Sequence, residues 1–186
     1  MEATPKTHQK EFNSPRTKRY NRASHISRIG AEGVFQTMSA GVGLYSSHDI
    51  TEEELAEVIL QAGGMLTPDS PAGYFGGLIE GEAYVWVFRI PCYDGVFDNE
   101  GNPLDEDEIV LLDQAKVLLG GEFQTWIYIH LGREPGSQRL AVRFAYTCCQ
   151  RWPCIVDSDE KKGRVFSSQE IEQLYKEDGA FTGYGL

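Results

Sequence analysis

The sequence predicts an α+β fold, a mixed α/β sandwich with one mixed or antiparallel sheet and about four helices. Three observations lead there. Segments with helical spacing of apolar residues alternate with short runs rich in β-branched and aromatic residues. Two of the central runs, "YFGGLIE" and "EAYVWVFRI", are separated only by Gly81–Glu82, which makes them an antiparallel hairpin and argues against a purely parallel sheet. The chain has 186 residues, enough for a sizeable core in a single domain, and shows no internal repeat.

Residues 1–33 are polar and basic, without apolar periodicity, and are expected to be a disordered tail. Met38 offers a second start, which would make this basic segment an over-long reading of the gene. Residues 34–186 are expected to form one α+β domain. It opens with "GVGLYSS", a short strand. "DITEEELAEVILQAGG" follows as a helix. Thr51 and Glu54 have capping-box spacing, three glutamates fill the first turn, Leu55, Val58, Ile59 and Ala62 make one face, and Gly63–Gly64 ends it. The prolines of "MLTPDSPAG" mark a turn ahead of the hairpin.

"PCYDGVFDNEGNPLDEDE" reads as a long acidic loop whose end, Asp105 with Glu108, caps the next helix. In that helix, "EIVLLDQAKVLLGG", the expected inward residues are Ile109, Leu112 and Leu119, with Val110 and Leu111 widening the face. "FQTWIYIHL" is a strand of near-continuous apolar content, as in a strand covered on both sides. "SQRLAVRFAYTCCQRW" is a helix with Leu140, Ala141, Phe144, Ala145 and Cys148 on one face, stopped by Pro153. Then come a short strand "CIVD", a turn "SDEKKG", a second short strand "RVFS", and a last helix "SQEIEQLYK". Ser167 or Ser168 caps this helix, and Ile171, Leu174 and Tyr175 are expected inside. The glycine-rich tail "DGAFTGYGL" is expected at the surface.

Charge narrows the function classes. The net charge is −11, yet residues 1–30 hold seven Lys and Arg against two acids, which leaves ten bases and 26 acids for the rest. An acidic body repels nucleic acid and attracts basic partners. Nucleic acid is expected only at the basic tail, where binding would be salt-sensitive. No apolar run reaches the roughly 20 residues of a membrane span, so no membrane partner is expected. The four cysteines lack the spacing of a disulfide framework, and no signal segment is recognisable, which together point to a reducing, cytoplasmic setting.

Candidate chemistry is sparse. Cys148, Cys149 and Cys154, even with Cys92 or His130, lack zinc-ligand spacing and are expected to be buried thiols, so neither metal nor cofactor is expected. The glycines at 73, 76 and 77 lead into a strand and carry no Lys-Ser/Thr pair, unlike a phosphate loop. Asp157 and Asp159 suit a tight turn better than a magnesium site. Alternation puts Trp126, Tyr128 and His130 on one strand face, either as a recognition surface or as a cleft with a general base; a structural histidine is the favoured reading. The acids Asp94, Asp98, Glu100, Asp105, Glu106 and Asp107 break the order of a calcium loop. With Tyr93 and Phe97 as anchors, they define a candidate partner-binding surface, weighed against a solvated, helix-capping loop.

The C-terminal third, on "RWP", "VD" and "GRVFS", resembles small uncharacterised bacterial proteins of the polymorphic-toxin immunity type. The resemblance carries no catalytic residue. It implies a non-enzymatic immunity or inhibitor protein whose acidic surface occludes a basic partner such as a toxin. Two alternatives stand beside it: a small hydrolase-like enzyme with a cleft around His130, and a phage or mobile-element accessory protein that binds a host factor.

Overall fold

A computed structural model describes residues 41–68, 70, 73–90, 106–158 and 164–181. The elements are β1 (Gly41–Ser46), α1 (Glu52–Gln61), β2 (Met65–Leu66), β3 (Gly76–Glu80), β4 (Ala83–Ile90), α2 (Glu106–Leu119), β5 (Thr125–Leu131), α3 (Gly136–Cys149), β6 (Cys154–Ser158), β7 (Arg164–Phe166) and α4 (Ser168–Lys176). This is the expected α+β fold. All seven strands form one antiparallel sheet in the order β2-β3-β4-β5-β1-β6-β7.

The local chemistry of the elements is that of their sequence. Thr51 and Glu54 close a reciprocal capping box on α1, and Ser167 with Glu170 does the same on α4. The β3–β4 hairpin turns at Gly81–Glu82. Gly81 takes a left-handed φ of 61°, as the first central residue of a type II′ turn requires.

One face of the sheet holds the main core. Val42, Leu44, Val85, Val87, Ile127, Ile129 and Val156 are fully buried there. The helix α3 lies across β3 to β6 and packs between α1 and α4. Leu55, Val58, Ile59 and Ala62 of α1 are all buried, as expected. At about 1.5–3 kcal/mol for each large apolar side chain removed from water, this layer dominates the stability. A smaller cluster, Ala115, Leu119 and Ile155 with Tyr45, Phe123 and Val165 against it, seats α2 on the opposite face beside β6.

Four expectations are corrected. "ML" at 65–66 is not only part of a turn but a two-residue edge strand on β3. Ile109 and Val110 of α2 face solvent and not the core. Tyr175 is 43% exposed and stacks on Tyr146, because Ile171 and Leu174 already fill the inner side of α4. Phe181, in the tail expected at the surface, is buried and packs edge-on against Phe166.

Candidate functional site

Strand β5 alternates strictly between buried and half-buried residues. Its core side is covered by helices, whereas the other side is only half-buried, so it is not the fully covered strand expected. Trp126, Tyr128 and His130 share that second side. Across the sheet Trp126 lies between Ile90 and Tyr45, Tyr128 between Phe88 and Gly43, and His130 between Trp86 and Gly41.

Glycines let these rings lie down on the sheet. A Cβ on Gly41 would stand 2.0 Å from the Tyr128 Oη. One on Gly77 would stand 2.6 Å from Trp86 Cε3 and 2.3 Å from the Val85 carbonyl oxygen. The rings also contact each other. Tyr74 stacks on Trp86 with centroids 5.0 Å apart, Tyr45 stacks on Trp126 at 5.8 Å, and Phe88 meets Tyr128 at 6.0 Å. Such offset contacts contribute about 0.5–1.5 kcal/mol beyond area burial. The Trp126 Nε1–H is buried with no acceptor among the described residues.

His130 therefore sits on an aromatic surface. Burial lowers its pKa from the ordinary histidine value, since removing water disfavours the imidazolium. Its ring forms no hydrogen bond or ion pair among the described residues. The face can stack and exclude water; general-base work would need an orienting carboxylate beside the ring.

The second candidate surface is only partly described. Tyr93, Asp94, Phe97, Asp98, Glu100 and Asp105 lie outside the described residues. Glu106 and Asp107 begin α2. At about 100° per residue, Ala115, Leu119 and Leu112 fall on one side of this helix. Ile109, Val110, Val117 and Leu118 fall on the other and are 46%, 54%, 80% and 52% exposed. Only Asp113 and Gln114 interrupt them. An apolar strip on a surface helix is the kind of feature that marks an interaction site. Sequence reasoning missed it, because a helix apolar nearly all round does not say which side is buried.

The electrostatics around these surfaces are one-sided. Arg89, Lys116, Arg139, Arg143, Arg151, Arg164 and Lys176 are each held in an ion pair with an acid. Among the described residues Glu52, Glu53, Glu82, Asp113 and Glu134 are exposed and belong to no such pair. Among the described residues cationic side chains are thus largely paired with acids, and the excess presented to solvent is negative.

Cys148 and Cys154 are buried, and Cys149 is half-buried. No group of three His, Cys, Asp or Glu side chains suited to a metal ion occurs among the described residues. No helix in that set is long and apolar enough to cross a membrane. Comparison of the chain with protein-family models, curated proteins and solved structures finds no match.

Proposed function

We propose that this chain is an acidic binding protein of the immunity or inhibitor kind, which works by covering a basic protein partner such as a toxin. The observation that carries the reading is the outward side of α2, where Val110, Val117 and Leu118 stand exposed around Asp113 on a helix that starts with Glu106 and Asp107. An apolar centre with acidic surroundings fits a cationic partner. Opposite fields raise the encounter rate, and desolvation of the apolar side chains slows dissociation. A second copy of the chain fits poorly, since two bodies of charge −11 repel each other.

The test is co-expression of the full chain with each product of the genes next to its own. One product is expected to arrest growth alone, to be neutralised by the chain, and to form a complex that weakens as salt rises. Val117→Glu is expected to abolish neutralisation while the chain stays folded. Absence of binding and of neutralisation for every neighbouring product overturns the reading.

A further inference from the structure

A cleft of about 350 Å³ opens where the end of β3, helix α3 and the chain leaving α4 meet. Its walls carry two pairs of opposite charges. Arg143 of α3 donates from Nη1 to the Glu80 carboxylate. Arg139, one turn earlier on the same side of α3, faces Asp178 at 3.9 Å, beyond hydrogen-bond reach. Leu140, Leu174 and Tyr175 make the apolar part of the lining. The volume falls at the lower end of the range for small-molecule sites, roughly 300–1,000 Å³.

Three details set this cleft apart from ordinary surface pairing. Two cations at i and i+4 of one helix repel each other, so helix stability alone does not ask for both. The buried Arg143 Nε–H finds no acceptor among the described residues, so Glu80 alone does not saturate that guanidinium. Asp178 is the third detail. Among the described residues it is the one non-glycine with a left-handed backbone, at φ 55°. It follows Glu177, the C-cap of α4, and the next amide, Gly179, donates to the Leu174 carbonyl at 2.8 Å. This is the Schellman position at which helices place glycine, because a side chain there strains the backbone. Here glycine comes one residue later. What aspartate adds against that strain is a carboxylate on the rim of the cleft, opposite Arg139.

We propose that the cleft binds a free α-amino acid with an apolar side chain. Its walls present both charge signs in equal number. A simple anion is therefore repelled by Glu80 and Asp178, and a simple cation by the two arginines. A zwitterion suits all four. Its carboxylate lies against the guanidiniums of Arg139 and Arg143, whose planar N–H donors match a carboxylate. Its ammonium goes to Asp178, and its side chain packs on Leu140, Leu174 and Tyr175. Arg143 and Glu80 are the fixed part, since the Arg143 side chain is only 29% exposed. Arg139 and Asp178, 60% and 78% exposed and loosely paired, are the part that adjusts to the ligand. The site is built on α3 and α4 and is independent of the reading given for α2.

The test is a titration of the isotope-labelled full chain at neutral pH, followed through its amide resonances. L-leucine and L-phenylalanine are the probes, up to about 10 mM, tenfold above a weak millimolar constant. Saturable shifts are expected at Arg139, Arg143, Asp178 and Gly179. N-acetyl-L-leucine, which lacks the ammonium, and L-leucinamide, which lacks the carboxylate, should bind at least about tenfold more weakly. Arg139→Gln should weaken binding by a similar factor. Asp178→Gly should do the same while raising the thermal midpoint, since it relieves the backbone, so that loss of binding is not loss of fold. No saturable shift with either amino acid overturns the proposal. So does binding of N-acetyl-L-leucine or of inorganic phosphate as tight as that of L-leucine, or full retention of affinity in Asp178→Gly.

Discussion

The Thr125 hydroxyl accepts a hydrogen bond from the Ile50 amide at 2.8 Å and donates one to the His48 carbonyl at 2.8 Å. One side chain at the start of β5 thereby holds one N–H and one C=O of the loop that carries the chain from β1 into α1. Thr125 is buried, so no water replaces it. Thr125→Val keeps the shape and leaves the Ile50 N–H with only its 3.0 Å bond to the His48 carbonyl. We expect a loss of about 0.5–1.5 kcal/mol in urea unfolding, and a slackened α1 seen as faster amide exchange at Ile50.

The glycines of the aromatic face differ in what they would cost to fill. At Gly77 a methyl group meets the Val85 backbone oxygen, which cannot yield without parting β3 from β4. At Gly41 it meets the tip of the Tyr128 ring, a side chain and not a strand backbone. Gly77→Ala should therefore destabilise by about 2–4 kcal/mol, and Gly41→Ala by clearly less while changing tyrosine fluorescence. Equal losses in thermal unfolding would show that the Tyr128 ring is as fixed as the strand.

His130 makes stability depend on pH in a defined sense. Its pKa is lower folded than unfolded. Its contribution is complete above the ordinary histidine value and is lost as pH falls toward the lower folded value, because the unfolded chain binds the proton more readily. His130→Phe should flatten the part of the stability profile just below the ordinary histidine value. Glu170, held below the usual carboxylate range mainly by the Ser167 backbone N–H, acts at lower pH. There the stability is present above the ordinary glutamate value and fades on acidification, so Glu170→Gln removes that slope.

Val117→Asp tests which side of α2 is outside. On an exposed position it should change folding by no more than about 0.5 kcal/mol and should reduce binding of a hydrophobic dye. Ile127→Ala, in the core face, should cost about 2–5 kcal/mol. Comparable losses for both would place Val117 in packing.

Much of the fold was legible because local chemistry and tertiary placement agree. The Thr51/Glu54 box, the Gly81–Glu82 turn and the alternation of Trp126, Tyr128 and His130 each state their structure within a few residues. What was not legible depends on distant partners. Nothing in "GVGLYSS" says that it lies between β5 and β6, nothing in "ML" says that it pairs with Gly76 and Gly77, and Phe181 is inside only because Phe166 makes a wall for it.

The position of β1 has a bearing on how the molecule is made. This strand leaves the ribosome before any of its neighbours, yet its two ladders are completed only by residues up to His130 on one side and Ser158 on the other. Until then the strand's amides and carbonyls stay open to foreign pairing. A nascent chain stalled ahead of β6 would carry five strands of the sheet with β1 as an open edge, a natural target for chaperones and proteases.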